Sequence, residues 1–385
     1  MDNYDYIVVG AGLAGGIIAR SLAENNNKKI LIVERRNHIA GNTFDFEDEH
    51  GVKVQRYGPH VLHTNNDKVY EYITRFCEPI PYRTKCEAVM NGISTPSPFN
   101  FRTIDQFYSI EDAEELKQAL LGYYEGRSTV TVVEMLESPV DKIRKFAEFL
   151  FENDYKLYTA KQWNLDPSEI DPSVLKRVPI VLSYGDTYFY DKYEFMPKDG
   201  FVELYKRIID HPNITVELNV DALKHITVES DKLLYDEKYT NIIYTGAIDE
   251  LFGYRYGVLP YRSLYFDFKS IQANSFQNAA IVAYPQAEGY TRITEYTKMP
   301  FQDCNGWTCA AYEYPVAYDK NSDKGNEPYY PVLTEDSMKR YSMYKEHSNK
   351  YSNLVLAGRL AEFKYYNMDQ VILRALEIYD GMGGQ

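Results

Sequence analysis

Residues 56–64, RYGPHVLHT, set two histidines, His60 and His63, three positions apart behind a Gly-Pro step. Side chains of this kind serve as metal ligands, as a general base with its partner, or as hydrogen-bonding groups in a turn. A zinc site needs further ligands, and the chain has neither a Cys-x-x-Cys pair nor an HExxH stretch. No metal is expected. A second constellation precedes the histidines. Residues 4–22, YDYIVVGAGLAGGIIARSL, carry a short apolar strand from about Asp5 to Val9 into a Gly10-x-Gly12-x-x-Gly15 turn. A helical pattern through Ile17, Ile18 and Leu22 follows, then a second strand, KKILIVE, ending at Glu34. Strand, glycine turn, helix, strand and acid form the context in which this glycine spacing binds a dinucleotide. Gly10 permits the tight turn, and Gly12 (with Leu13 opening the helix) lets the backbone approach a pyrophosphate. Gly15 allows close helix–strand packing, and Glu34 is placed to accept from ribose hydroxyls. The loop that follows, with Arg35, His38, Gly41 and Asn42, favours FAD over NAD. A basic, Gly-Asn-containing loop suits a chain that continues along an extended cofactor, and His38 reads as structural.

The elements that must position these groups are spread along the chain. Ile214–Leu218 alternates as a strand, residues 241–249 (NIIYTGAID) form a buried strand breaking at Gly246, and residues 353–359 form another ending at Gly358 and Arg359. A helix from about Met368 to Tyr379 follows, its N-terminus a second place where a helix dipole meets the cofactor. The doubly wound cofactor domain is therefore discontinuous. One insertion is helical, with Ser138-Pro139 as cap and first helical residue of a segment through Phe151. Another helix is expected from Asp171-Pro172 to a stop at Pro179. The second insertion is strand-like, with YRSLYFDF and AAIVAYP rich in aromatic and β-branched residues.

Composition narrows the partners. At 385 residues two or three domains are expected, and a net charge of −14 argues against nucleic acid or an acidic membrane surface. It leaves room for an anionic small molecule held by a few buried arginines. Four cysteines without zinc-type spacing suit reduced thiols and a cytoplasmic location. No stretch has the length and apolarity of a membrane span, nor is there an apolar signal region. Tyrosine is the outlier, at 37 residues, which suggests clefts lined by rings with a polar tip.

An ordered set of motifs then carries a resemblance: RNHIAGN, YGPHVLHT, SPFNF (97–101), YTAKQW (158–163), KRVP (176–179), YTGAID (244–249), YRSL (261–264), YTRI (290–293), EPYYPV (327–332) and GRLAEFKYYNMDQ (358–370). Together they resemble the UDP-galactopyranose mutases of bacteria that build galactofuranose into cell-surface polysaccharide. The resemblance implies an α/β protein: a discontinuous FAD-binding Rossmann-like domain with an inserted helical bundle and an inserted twisted antiparallel sheet domain. Its expected parts are FAD-binding segments 1–80, 183–250 and 341–385, sheet-domain strands 81–102, a nucleotide-binding helical bundle 103–182 ending in a mobile loop, and the antiparallel sheet 251–340. It also implies a mutase that interconverts UDP-galactopyranose and UDP-galactofuranose with reduced FAD, through a covalent flavin N5–sugar adduct and no net redox change. An external reductant such as NAD(P)H and a homodimer belong to the same expectation.

Residue by residue, the resemblance places the loop of His60 and His63 against the flavin ring, His60 as a polar contact to sugar or flavin and His63 as a support. Gly358, Arg359 and Met368 join the cofactor residues. Tyr158, Thr159 and Trp163 offer a site to the nucleotide base, with Tyr155 on the same helix face as a further wall. Arg292 is the foremost diphosphate ligand, Arg262 the second, with Tyr188, Tyr330, Tyr365 and Asn367 completing the substrate set. The chain also departs from the family pattern. Val181 falls where a mobile-loop arginine is usual, leaving Lys192 or Lys198 as replacement cations. Val282 stands for an asparagine, Asn367 and Asp369 for an aspartate and a histidine, and Glu152 and Asp154 for apolar residues. Alternatives remain: a dTDP-6-deoxyhexose or UDP-N-acetylgalactosamine mutase, an amine-oxidase-like FAD oxidoreductase, or a binding protein without turnover.

Overall fold

The computed structural model describes residues 4–163 and 179–382. The helix expected from Asp171 therefore lies outside the described residues. At the centre is a five-stranded parallel sheet in the spatial order Ile214–Leu218, Ile30–Glu34, Tyr6–Val9, Asn241–Tyr244, Leu354–Leu356. Numbered along the chain this is 3-2-1-4-5, the doubly wound order, with its switch point between Tyr6–Val9 and Asn241–Tyr244. Ile30–Glu34 is buried at every position, as expected of a strand covered on both faces. Helices Leu13–Asn26, Phe201–Ile209 and Met368–Met382 pack on one face, and Ile248–Leu251 with Glu335–Ser348 lie on the other.

A seven-stranded sheet stands beside it, in the order Tyr330–Pro331, Tyr261–Ile271, Thr308–Ala317, Arg292–Glu295, Ile281–Ala283, Cys86–Met90, Ile93–Ser97. Every neighbouring pair is antiparallel except one: Ile281–Ala283 and Cys86–Met90 run parallel. Segments 86–97 and 261–331 are thus joined by a parallel seam that no local turn signal announces.

The helical region packs Leu116, Leu120, Met135, Phe146 and Leu150 into a core shared with Ala88 and Met90 of the sheet strand Cys86–Met90. Its longest helical run starts later than the sequence suggests. Asp141–Leu150 has Val140 as N-cap, and the Ser138 hydroxyl instead accepts from the Val140 N–H at 3.2 Å. Ser138 and Pro139 form a turn ahead of the helix. The run then passes through a π-helical turn, Phe151–Tyr155, before Lys156–Trp163. Lys161 in that last helix gives Nζ–H bonds to the carbonyls of Tyr284 (2.6 Å), Ala287 (2.9 Å) and Tyr290 (2.8 Å). This latches the helical region to the seven-stranded sheet. No described helix is long and apolar enough to cross a membrane.

Candidate functional site

A cavity opens at the carboxyl ends of the parallel strands, lined by Gly10, Gly12, Leu13, Glu34, Arg35, Asn42, His60, Gly358, Arg359 and Met368. Gly10 has φ +104°, and a Cβ there would fall 2.2 Å from Thr245 Oγ1. Gly41, at φ +57°, presses its backbone on Gly12, so that a Cβ on Gly41 would lie 2.9 Å from Gly12 Cα. Helix Leu13–Asn26 begins at Gly12 with no side-chain cap and no acidic residue in its first turn. Its free N–H groups and dipole favour an anion. Gly15 does not line the cavity; a Cβ there would meet Gly10 O at 2.5 Å and Val8 Cγ1 at 2.8 Å. Its place is the close packing of helix on strand.

Glu34 is 4% exposed. Its carboxylate accepts from the Ala11 N–H (3.0 Å), the Arg36 N–H (2.9 Å) and Arg36 Nε (3.3 Å). Those bonds fix the acid at the strand end and leave lone pairs for a ribose. Arg36 also donates to Asn42 Oδ1 at 3.0 Å and lies over the Tyr57 ring. Arg35 lies 3.7 Å from Glu250 and 3.6 Å from Glu327. Arg36, Glu250, Glu327 and Thr245 line the cavity and were not singled out from sequence. Only the basic pair 35–36 was visible there, because the two glutamates come from remote segments.

At the far end of the cavity stands His60. Its Nδ1 lies 2.8 Å from Gly58 O, a carbonyl that can only accept, so Nδ1 carries the proton and Nε2 is left as an acceptor. The peptide of His60 is clamped by Gln55, whose Oε1 accepts from the His60 N–H (2.5 Å) and whose Nε2 donates to His60 O (3.2 Å). Burial pushes the imidazole down to about 4, the Gly58 bond opposing and the Arg359 and Arg292 charges adding to it. The ring is neutral at physiological pH. A histidine whose folded value lies below its unfolded 6.5 stabilises the fold above pH 6.5 and loses that contribution as pH falls towards 4. Unfolding free energy should therefore decline between pH 6.5 and 4 in chemical denaturation, and His60→Gln should flatten part of that decline. An identical profile in the variant would refute the assignment.

His63 does not line the cavity. It sits in strand Leu62–Thr64, its Nδ1 2.7 Å from Asp191 Oδ2 and its ring stacked on Phe189 at 3.7 Å. From this strand, paired with Tyr193–Pro197, it ties the 185–192 loop down.

The substrate candidates adjoin the His60 end without lining the cofactor cavity. Arg292 forms a cross-strand pair with Glu313, Nε to Oε2 at 2.6 Å, and Glu313 is 3% exposed. Residues paired across a sheet share a face, so Arg262, Phe266, Glu313, Arg292 and Ala283 line up on one side by register. Arg292 is within electrostatic reach of His60, Tyr158, Tyr188, Tyr330 and Tyr365. Burial pushes the Tyr158 phenol up, Arg292 opposing. Tyr330 and Tyr365 stack at 5.5 Å, Arg262 lies 5.7 Å from the Tyr330 ring, and Arg359 lies over both rings at 4.8 and 5.5 Å. Arg359 is held by the carbonyls of Tyr329 (3.0 Å) and Tyr366 (2.7 Å). Thr159 and Tyr155 are buried, Tyr155 edge-on to Phe99 at 5.4 Å. Tyr155 closes the π-turn at 151–155, and it and Tyr158 are both within electrostatic reach of Asp154 and Tyr188. The Trp163 side chain lies outside the described residues. Asn367 precedes helix Met368–Met382, its N–H bonded to Gln370.

The departures also look different in three dimensions. Val181 lies in strand Pro179–Val181, paired with Thr129–Thr131 and 4% exposed, and is no part of a loop over the site. Val282 pairs with Ile293 and, one step along the strand from Ala283, faces away from Arg292. Lys192 and Lys198 are tied to Asp67 (2.6 Å) and Glu78 (2.7 Å), so neither is a ready replacement cation.

Comparison with known proteins agrees with this layout. A family model described as UDP-galactopyranose mutase matches residues 153–365, and one described as an NAD(P)-binding Rossmann-like domain matches residues 8–77. A probable UDP-galactopyranose mutase of Klebsiella pneumoniae is 34% identical over 99% of this chain and 95% of its own length. A dTDP-fucopyranose mutase of Escherichia coli is 33% identical over 96% of each. The crystal structure of a reduced UDP-galactopyranose mutase superimposes with a TM-score of 0.71 at 16% identity, covering 99% of this chain and 96% of that one. The dinucleotide cavity, the cluster of arginines and phenols beside His60 and the full-length relatives converge: the chain belongs to the UDP-galactopyranose mutase family and is an isomerase.

Proposed function

We propose that this protein interconverts UDP-galactopyranose and UDP-galactofuranose, with FAD in its reduced form as cofactor. The observation that carries the reading is Arg292, set beside His60 where the dinucleotide cavity ends, with Tyr158, Tyr330 and Tyr365 around it. The residues present fit FAD: the Gly12–Gly41 backbone contact cradles a pyrophosphate, Glu34 meets the ribose, and the cavity continues past Asn42 to His60 and Met368. Reduced flavin supplies a nitrogen nucleophile at the sugar's anomeric carbon, so that the ring can reclose through another oxygen with no net redox change.

The chain supplies the rest. Arg292 draws off the departing diphosphate, held in plane by Glu313, while the Tyr330 and Tyr365 phenols donate to its oxygens. Neutral His60 offers Nε2 to a sugar hydroxyl or to the cofactor. Tyr158, Thr159 and Trp163 take the base, with Arg262, Tyr188 and Asn367 completing the sugar-nucleotide site. His63 steadies the loop. The same reading includes an external reductant such as NAD(P)H, a homodimer, and a cytoplasmic role in cell-surface polysaccharide synthesis.

The test is anaerobic incubation of dithionite-reduced protein with UDP-galactofuranose, following UDP-galactopyranose by chromatography. Turnover with reduced and not oxidised flavin is the expected result. A parallel arm with dTDP-fucofuranose addresses the sugar specificity of the Escherichia coli relative. Turnover in that arm alone would move the substrate to a dTDP-6-deoxyhexose, and turnover in neither would overturn the reading.

A further inference from the structure

Asp154 is 7% exposed and lies in the π-helical turn Phe151–Tyr155. No described residue donates a hydrogen bond to its carboxyl; the charge that acts on it is Lys161, whose ammonium protons are taken by three carbonyls. The next residue, Tyr155, has a buried hydroxyl that also lacks a partner among the described residues. Two adjacent buried polar groups without partners cost stability unless a ligand meets them. A π-turn in the middle of a helix is itself a common mark of a functional position. Both groups lie within electrostatic reach of one another, and Asp154 also reaches Tyr158, which in turn reaches Arg292. Asp154 and Tyr158, four residues apart, are neighbours on one side of the helical run, and Tyr158 is within reach of Arg292.

We propose that the Asp154 carboxyl pairs with the imide edge of the pyrimidine base, its carbonyl oxygen accepting from N3–H and its hydroxyl donating to the neighbouring ring carbonyl. The inference rests on the nucleotide-sugar reading above and adds the residue that reads the base. The Tyr155 phenol is placed to donate to the base as well. A neutral acid and an imide match as two antiparallel hydrogen bonds, and a neutral pair avoids the cost of burying an unpaired carboxylate. Burial pushes the Asp154 carboxyl up to about 7, Lys161 opposing. The other ionisable groups on packed elements are engaged elsewhere or are not anions at neutral pH. On strand Cys86–Met90 the Glu87 carboxylate takes the Ser94 hydroxyl, and the Cys86 thiol is pushed up to about 12 by burial. On helix Asp141–Leu150, Glu148 lies 3.7 Å from Arg144, and Lys145 lies 2.8 Å from Asp141. On the following helix Lys156 pairs with Glu152.

The sign follows. A ligand that binds the protonated acid holds the proton on, so affinity is full below pH 7 and falls above it by up to about tenfold per pH unit. The Asp154→Asn variant would offer the same two bonds permanently, its amide N–H in place of the acid O–H. The experiment titrates UDP into the flavin-loaded protein by calorimetry between pH 6 and 8.5, for the wild type, Asp154→Asn and Asp154→Ala. Ionisation of the UDP phosphate is common to all three and cancels in their ratios. Expected are a wild-type affinity that falls against that of Asp154→Asn as pH rises, and loss of about tenfold or more in Asp154→Ala at pH 6. The 5′-diphosphate of 3-methyluridine should bind the wild type about tenfold or more weaker than UDP, and this gap should shrink in Asp154→Ala. UDP binding with the same affinity and pH profile in all three proteins would overturn this inference and leave the mutase reading standing. No UDP binding to the wild type would overturn both. Removing an unpartnered carboxyl does not endanger the fold, so the alanine variant remains interpretable.

Discussion

Replacing Arg292 by alanine should lower kcat/KM by about 10³-fold, the effect of losing one buried, hydrogen-bonded charge from an anion site. Among the described residues Arg292 hydrogen-bonds to Glu313 alone, through Nε. Both terminal nitrogens remain for a ligand, and the Glu313 bond holds the guanidinium plane as a fork towards it. Lysine keeps the charge and loses the fork, so Arg292→Lys should retain more activity, with a loss of about 10–10²-fold. Flavin content should be unchanged in both, because Arg292 does not line the cofactor cavity. Stability should change as well. The alanine variant leaves Glu313, 3% exposed, without its cation, at a cost of about 3–5 kcal/mol. Adding Glu313→Gln should restore much of that stability while leaving activity low. Steady-state kinetics and urea melts on the four proteins read the two effects separately. Wild-type kcat/KM in Arg292→Ala would remove the diphosphate role.

How much of this site was legible beforehand depends on how far its parts lie from one another in the chain. Gly10, Gly12, Gly15 and Glu34 form one local strand–turn–helix–strand unit, so their spacing alone fixed where they sit, down to the difference between Gly12 at the cavity and Gly15 in the packing. The Arg292–Glu313 pair spans two strands and exists only through their register, which no local pattern encodes. Register also decided Val282. One step along a strand reverses the face, and the residue ten positions before Arg292 points away from it. The π-turn at 151–155 was hidden for another reason. Phe151 and Tyr155 keep the i, i+4 spacing of a continuous α-helix, and a single wider turn demands no change of residue type. Asp154, four residues after buried Leu150 and seven after buried Ala147, falls on the apolar face by that spacing, an acid where the pattern asks for an apolar side chain.

Val181→Arg follows from the largest of these differences. Read as a loop position, it invites an arginine to complete the diphosphate site. In the folded chain Val181 is the third residue of a strand whose partner is Thr129–Thr131, and its N–H donates to Phe99 O at 2.8 Å. Flanking Ile180 and Leu182 are buried in the helical core with Val130, and Leu182 N–H continues the pairing to Ser128 O at 2.9 Å. At 4% exposure, no described carboxylate hydrogen-bonds there to receive a guanidinium, and a long charged chain must either bury its head or pull the strand from its partner. The expected cost is about 3 kcal/mol or more, read as a lower denaturation midpoint, with no gain in turnover of UDP-galactofuranose. Val181→Ile, which adds one methylene at this buried position, should cost about 1 kcal/mol. An arginine variant that is as stable as the wild type and binds UDP more tightly would show that the strand opens towards the substrate, and the loop reading would return. A destabilised variant with unimproved affinity would leave the diphosphate to Arg292 and the arginine and phenols beside it, which is where the register of the seven-stranded sheet gathers them.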